Sequence, residues 1–254
     1  KSGGVMVLNA DDQHLQGLAA RITTPVVTFG LDDAATIQAR EVRATPQGFR
    51  FTLCAPGQQA EVQLQTPGRF MVSNALAAAA VGWQAGINLT AIAETLSRFE
   101  PLEGRLRVIA TAAGVTLIDD TYNANPGSVI AAVTTLKELD PAGRKFMVLG
   151  DMLELGASAR ELHREVGALI AASHLDGLFV TGAMAQEVAA GALDQGMPAQ
   201  QVVTAEKPVL TQKLKARLHP GDYLLIKGSR GMAMETVLKA LMEWAHNPTE
   251  TEAS

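Results

Sequence analysis

After residue 104 the sequence alternates short apolar segments with amphipathic helices, and this alternation constrains the fold more than any other feature. The apolar segments are residues 115–118, 146–149, 178–180 and 223–226. Short, continuously apolar runs of this kind are typical of parallel strands buried on both faces. The helical stripes comprise Val129, Val133, Leu136 and Leu139, then Leu162, Val166, Leu169 and Ile170, and finally Met234, Val237, Leu238, Leu241 and Met242. The pattern predicts an α/β fold, a doubly wound Rossmann-like domain with a mostly parallel sheet and right-handed crossovers.

The first hundred residues follow a different pattern. Apolar residues recur at every second position over much of residues 5–64, and the turn sequences at 45–48 and 55–57 have hairpin chemistry. This part is predicted to be a small antiparallel meander. The alanine-rich stretch 72–81 then predicts a helix, and Asn88 is placed to cap a second one.

The two patterns meet at residues 100–104, where proline and glycine stand between charged residues. Such a break is typical of a hinge between domains. We therefore divide the chain into a first domain of residues 1–102, a second domain of residues 103–245 and a tail of residues 246–254.

Composition excludes several classes of protein. The chain has 254 residues, 47% of them hydrophobic, and a formal charge of -5, which does not suit a nucleic-acid backbone or an anionic membrane as the main partner. Cys54 is the single cysteine, so a disulfide scaffold and a multi-cysteine zinc site are excluded. We expect no membrane span and a cytoplasmic location. Because residue 1 is Lys rather than Met, we also expect that the chain was cut from a longer one.

Polar segments follow three of the apolar runs. Residues 119–126 read Asp-Asp-Thr-Tyr-Asn-Ala-Asn-Pro, residues 150–156 read Gly-Asp-Met-Leu-Glu-Leu-Gly, and residues 227–230 read Lys-Gly-Ser-Arg. Ligands of open parallel sheets bind at the carboxyl ends of the strands, so these segments are expected to share one edge. Carboxylates and amides there suit a ribose or a metal, whereas Lys227 and Arg230 suit an anion. The sequence therefore predicts a site for a phosphorylated substrate.

Several of these residues also have a purely structural interpretation. Asn125 before a proline is a common way to begin a helix, and Ser229 can cap one. Asp119 and Asp120 can hold loop amides. Two acids at the end of an apolar strand are costly to bury unless a cation meets them, and this favours a functional role.

Three further positions are open to structural interpretation. Asp151 suits a turn as well as a ligand site. His163 lies within an amphipathic helix, where a single histidine is more often packed than catalytic. Ser158 followed by Glu161 predicts a capping box at the start of that helix.

The motifs of several enzyme classes are missing from the sequence. It contains no G-x-x-x-x-G-K-[ST] phosphate loop, no G-x-G-x-x-G after a strand and no G-x-S-x-G. The residues of a dehydrogenase or a serine hydrolase are therefore lacking.

The polar segments, taken in order, resemble those of the Mur ligases. The resemblance covers nearly the whole chain. Among the Mur ligases, the segments resemble those of the enzymes that join D-alanyl-D-alanine to UDP-N-acetylmuramoyl-tripeptide, rather than those of the enzymes that add the earlier residues. The matching segments are residues 8–12, 67–80, 104–106, 119–125, 150–156 and 227–230.

This resemblance implies a three-domain, ATP-dependent amide ligase that forms an acyl phosphate. The chain is then the tail of the ATP-binding central domain, of P-loop type, followed by the whole third domain. The resemblance implies ATP and Mg²⁺ as cofactors, with the metal ligands and the P-loop lysine outside these residues. We therefore expect the chain alone to be inactive, and the parent enzyme to be a monomer.

The resemblance also assigns roles to individual residues. Arg105 is expected to reach the nucleotide phosphates and Asp120 to hold the ribose, and these two are the catalytic candidates. Asn74 is expected near the adenine or ribose. The residues expected to border the nucleotide are Tyr122, Asn123 and Asn125, and those expected to bind substrate are Asp151, Lys227, Ser229 and Arg230. No residue is assigned to a metal.

One position departs from the family pattern. Met71 stands where the family has the first Asn of its G-x-[HF]-N-x-x-N motif, and a thioether cannot replace that amide. Two alternatives to the ligase remain open at this point: a stand-alone Rossmann-like binding module without catalysis, and a ligase of the folylpolyglutamate synthase type.

Overall fold

Two separate units, Lys1–Glu100 and Pro101–Ser254, are each built on one sheet. The computed structural model describes residues 3–19, 21–45, 47–139 and 143–246 of them. The tail predicted at residues 246–254 lies outside the described residues except for His246, which ends the last helix.

The first unit contains a mixed five-stranded sheet in the order β1-β2-β3-β4-β5. Its elements are β1 (Met6–Asn9), α1 (Gln13–Ala19), β2 (Val26–Gly30), β3 (Ile37–Thr45), β4 (Gly48–Ala55), β5 (Gln58–Leu64), α2 (Phe70–Gln84) and α3 (Leu89–Ser97). Strands β3, β4 and β5 pair antiparallel, which confirms the meander for that part. Strands β1, β2 and β3 pair parallel, so the prediction is wrong there. The short helix α1 provides the crossover that the parallel pair β1–β2 requires.

Helix α2 covers the inner face of this sheet. The inward residues Phe51, Leu53 and Val62 are almost completely buried, as are Leu76 and Ala79 of α2. The small side chains of the alanine-rich helix let it lie close to the strands, and the predicted helix is confirmed. Helix α3 begins as predicted, with the Asn88 side chain accepting a hydrogen bond from Thr90 N at 2.8 Å.

The second unit contains a six-stranded sheet in the order β10-β9-β8-β11-β7-β6. Its elements are β6 (Arg107–Ala110), β7 (Thr116–Asp120), α4 (Pro126–Glu138), β8 (Lys145–Leu149), α5 (Ala159–Ala171), β9 (Gly177–Val180), α6 (Ala185–Asp194), β10 (Val202–Thr204), α7 (Lys207–Lys215), β11 (Tyr223–Lys227) and α8 (Glu235–His246). Strand β6 is antiparallel to β7, and the other pairings are parallel. All four apolar runs are strands, and the mostly parallel Rossmann-like sheet is confirmed.

Helices cover both faces of this sheet. One core contains residues of α4, α5 and α6, and the other contains residues of α7 and α8. Strand β11 lies between β7 and β8, although it comes last in the sequence. The strand order therefore reverses beside β11, and a crevice at such a reversal is where ligands of this architecture bind.

The capping box predicted at the start of α5 is wrong. Ser158 makes no side-chain capping hydrogen bond, and residues 156–158 form a 3₁₀ turn. Of the predicted stripe on this helix, Val166 and Ile170 are buried, whereas Leu169 is 45% exposed and His163 lies in the core.

A buried carboxylate, Asp222, anchors the end of the sheet opposite the crevice. It accepts hydrogen bonds from Arg144 N at 2.8 Å, from Arg144 Nη2 at 2.8 Å and from His219 N at 2.9 Å. Burial by itself raises the pKa of Asp222, but the hydrogen bonds from Arg144 and His219 outweigh it, and the pKa is lowered.

We expect Asp222→Asn to destabilise the chain by about 2–3 kcal/mol near pH 7, because buried donors then lose their charged acceptor. A lowered native pKa contributes stability above the unfolded pKa of about 3.9, and this is lost as the pH falls through the native value. The difference between wild type and variant should therefore shrink below about pH 4. Urea unfolding of wild type and variant, at neutral pH and in acid, measures this difference.

The matched control is Asp194→Asn, which removes an exposed partner of Arg164. It should cost less than about 1 kcal/mol. Equal losses for the two variants, or a loss at Asp222 that does not depend on pH, would contradict the anchoring role.

Candidate functional site

A buried ion pair lies where β7 and β11 end side by side. Lys227 is paired in register with Asp120, and its Nζ lies 2.7 Å from Asp120 Oδ2. The same Nζ donates to Asn123 O at 2.8 Å. Both side chains are nearly inaccessible. Burial raises the pKa of Asp120, although Lys227 and the Leu106 amide act in the opposite direction.

The neighbouring carboxylate, Asp119, accepts hydrogen bonds from a backbone amide and a hydroxyl group. Its Oδ2 accepts from Gly104 N at 2.8 Å, and its Oδ1 accepts from Thr121 Oγ1 at 2.7 Å. Asp119 is 3% exposed and faces no cation in these contacts. The loop-holding interpretation therefore applies to Asp119.

Both carboxylates fix the residues on either side of Arg105. Gly104 is held by Asp119, and Leu106 donates its amide to Asp120. Gly104 and Leu106 have positive φ angles of 76° and 55°. A Cβ at Gly104 would lie 2.9 Å from Tyr122 N, so the backbone can approach this closely only at a glycine. This turn is thus strained, and the buried acids maintain it.

The turn places Arg105 on an exposed aromatic ring. Arg105 Cζ lies 4.0 Å from the centroid of Tyr122, which is 44% exposed. Arg230 approaches the same ring, with Cζ at 5.8 Å. The contact of Arg230 with Glu235 is long, at 4.0 Å. We call Arg105, Tyr122 and Arg230 the arginine–tyrosine cluster; two cations at one exposed ring form a surface suited to an anion.

Asp151 holds the loop that follows β9. Its carboxylate oxygens accept from Ala183 N at 2.8 Å and from Met184 N at 3.0 Å. Gly182 leaves room for it, because a Cβ there would lie 2.4 Å from Asp151 Oδ1. The backbone oxygen of Asp151 also accepts from Ser229 N at 3.0 Å.

Ser229 joins two loops and does not cap a helix, so the capping interpretation is wrong. Its Oγ accepts from Leu153 N at 2.8 Å and donates to Ala124 O at 3.1 Å. Asn125 does begin α4, accepting from Ser128 N at 2.8 Å.

The sequence-predicted site residues thus fall into two groups. Asp120, Asp151, Lys227 and Ser229 are buried and bonded within the protein, whereas Arg105, Tyr122, Asn123, Asn125 and Arg230 are exposed in the same unit. Asn74 belongs to the first unit, where it is exposed and its Nδ2 lies 3.5 Å from Met71 Sδ. The sequence did not predict the left-handed backbone conformation of Leu106, although Gly104, two residues earlier, is a signal for a tight turn.

Two features are absent from the described residues. No group of three or more His, Cys, Asp or Glu side chains among them could hold a metal ion. Within the same ranges, no helix combines the length and the apolar character needed to cross a membrane.

We expect Lys227→Met to destabilise the chain by about 3–5 kcal/mol, because Asp120 is left buried without a cation. The loss should be smaller at lower pH. The pKa of Asp120 is raised in the folded protein, so as the pH falls the folded variant protonates this carboxylate at a higher pH than the unfolded chain does.

The double variant Lys227→Met with Asp120→Leu is the control, since replacing both partners by apolar side chains removes the unpaired charge. Urea unfolding of wild type, both single variants and the double variant gives the coupling. A double variant no more stable than Lys227→Met alone would show that the pair is not coupled.

The sequence matches two family profiles. Residues 1–82 match the Mur ligase middle domain, and residues 104–230 match "Mur ligase, glutamate ligase domain". The UDP-N-acetylmuramoyl-tripeptide--D-alanyl-D-alanine ligase of Bacillus subtilis is 34% identical over 243 residues, which cover 96% of this chain and 52% of that protein. The chain thus spans about half the length of the curated relatives it matches.

Solved structures agree with these matches. A crystal structure of MurF from Acinetobacter baumannii has a TM-score of 0.81 at 30% identity, covering 96% of this chain and 53% of that one. A MurF structure from Thermotoga maritima, in complex with ADP, has the same TM-score of 0.81 at 23% identity, covering 96% of this chain and 54% of its own, and shows the shared fold. With profile matches in both units, the chain belongs to the Mur ligase family.

Proposed function

We propose that this chain supplies the second half of an ATP-dependent ligase that joins D-alanyl-D-alanine to UDP-N-acetylmuramoyl-tripeptide. The observation that carries the proposal is the arginine–tyrosine cluster, in which Arg105 and Arg230 meet Tyr122 at the carboxyl ends of parallel strands. The substrates are those that name the relatives matching 94–96% of the chain.

Both steps of the proposed reaction involve anionic groups that two cations can stabilise. The tripeptide carboxylate attacks the γ-phosphorus of ATP, releasing ADP and forming an acyl phosphate. The dipeptide amine then attacks the acyl carbon, and phosphate leaves with the bonding electrons while the amine loses a proton. Negative charge must be stabilised in both steps, and fixed guanidinium groups do this without reorganising.

Arg105 has the more constrained position. Its two neighbours are held by buried carboxylates, and its guanidinium is stacked on Tyr122. We assign it to the nucleotide phosphates. Arg230 follows β11 and its side chain is 70% exposed, and we assign it to the substrate that carries the amine.

The remaining residues take supporting roles in this proposal. Tyr122 and Asn123 border the nucleotide. Asp120 and Lys227 hold the loop that carries Tyr122 and Asn123, and we assign Asp120 to the ribose. Mg²⁺ neutralises phosphate charge in such reactions, and its ligands are expected in a part of the ligase outside these residues. We place the enzyme in the cytoplasm, as a monomer.

The reading frame upstream of Lys1 tests the proposal first. We expect it to encode a strand and helix joined by a G-x-x-G-K-[ST] loop, since this sequence has no such loop. The 254-residue chain alone should then release no phosphate from ATP with all three substrates present.

In the complete ligase, Arg105→Ala should lower kcat/KM for ATP by about 10²–10³, the range for loss of one fixed charge-stabilising donor. Arg107→Ala is the matched control, since Arg107 is also exposed but pairs with Glu103 at 3.3 Å. It should change kcat/KM by less than about two-fold. Equal effects of the two variants would refute the assignment of Arg105.

Met71→Asn should tighten ATP binding by about five-fold in the complete ligase, the equivalent of one hydrogen bond. Met71 lies one turn before Asn74, and their side chains touch, so the new amide would join the existing one. Calorimetric titration measures the change. An unchanged or weaker affinity would show that this position does not face the nucleotide.

A further inference from the structure

His163 is a completely buried histidine for which the proposed reaction has no use. It is 0% exposed, and both ring nitrogens face backbone atoms. Nε2 lies 2.9 Å from Met152 N, and Nδ1 lies 2.5 Å from Ala159 O. A backbone amide can only donate, so Nε2 accepts and the proton resides on Nδ1, which donates to Ala159 O. The geometry thus requires a neutral imidazole in one tautomer.

The Met152 amide belongs to an irregular loop that lacks the regular bonding of a helix or a strand. Residues 150–155 join β8 to the 3₁₀ turn before α5, and Glu154 has a φ of 64°. Buried backbone amides need a partner, and here a side chain from α5 supplies it. His163 therefore attaches the loop to a rigid helix.

The loop in turn holds the segment that carries Arg230. Leu153 N donates to Ser229 Oγ at 2.8 Å, and Ser229 N donates to Asp151 O at 3.0 Å. The Leu153 side chain also lies against Gly231, where a Cβ would be 2.8 Å from Leu153 Cδ1. The residues on both sides of Arg230 thus rest on the loop.

We propose that His163 is a positioning residue that fixes the 150–155 loop and, through Leu153 and Ser229, the place of Arg230. The inference rests on the proposed function, in which Arg230 meets the substrate that carries the amine. Loss of the histidine then weakens use of that substrate and leaves use of the nucleotide nearly unchanged, because Arg105 is held by Asp119 and Asp120 instead.

Three variants separate this role from simple packing. His163→Phe keeps a ring in the core and removes both hydrogen bonds. His163→Gln keeps an acceptor that can reach Met152 N. His246→Phe is the matched control, because His246 Nδ1 also faces the carbonyl four residues earlier, at 2.7 Å, but the side chain is exposed.

Amide hydrogen exchange in the 254-residue chain is the first measurement and does not depend on the proposed function. In His163→Phe, exchange of the Met152 and Leu153 amides should accelerate by about ten-fold or more, as expected when one protecting hydrogen bond is lost. His163→Gln and His246→Phe should stay near wild type. Unchanged exchange in His163→Phe, or equal acceleration throughout α5, would overturn the inference.

Steady-state kinetics of the complete ligase is the second measurement. His163→Phe should raise KM for D-alanyl-D-alanine by about ten-fold or more, since small misplacements of a positioning group have effects of this size. KM for ATP should change by less than about two-fold, and His163→Gln should restore most of the loss. An equal rise in both KM values, or none, would overturn the inference. A wild-type ligase with no activity would instead overturn the proposed function.

Discussion

The ion pair between Lys227 and Asp120 is the contact on which the rest of the site depends. It joins β11 to β7 where the strand order reverses, and the same ammonium also holds Asn123 O. Removing two charges from water is expensive, so such a pair adds little net stability compared with an apolar substitute. Its effect is geometric: with the pair formed, the loops after β7 and β11 have one relative position.

A division of labour between buried and exposed polar residues follows from this arrangement. Four buried side chains each accept a hydrogen bond from a backbone amide of a loop: Asp119, Asp151, Ser229 and His163. These loops include residues with positive φ, such as Leu106, and their backbone is unfavourable unless the surroundings fix it. The buried groups do so, and the exposed arginines are accessible to a ligand.

Burial determines which strands could be predicted from the sequence. Strands β7, β8, β9 and β11 each contain a continuous apolar run because both faces of the sheet are covered, and these runs could be recognised in the sequence. Edge strands β6 and β10 are only partly buried and gave no signal. In the first unit, β1 and β2 are half-buried, and alternation of that kind does not distinguish parallel from antiparallel pairing.

The location of the candidate site was predictable, whereas the direction of its side chains was not. That the segments after β7, β8 and β11 share one edge follows from the parallel sheet itself. Whether Lys227 points to solvent or into the protein depends on Asp120, which faces it only after two distant strands pair. Asp151 likewise meets Gly182, where the missing side chain leaves space for the carboxylate. Contacts between residues far apart in sequence leave no local pattern, and so the ligand roles of these residues stay predictions.

The position of the two arginines illustrates how a buried contact controls a surface. Arg105 lies within the turn held by Asp119 and Asp120, and Arg230 follows Lys227 by three residues. Both guanidinium groups lie at the ring of Tyr122. Like charges repel, so two arginines that approach one ring need backbone segments that are restrained by buried contacts. The Asp120–Lys227 pair and the loop fixed by His163 provide that restraint, and the repulsion that remains is what an incoming anion would relieve.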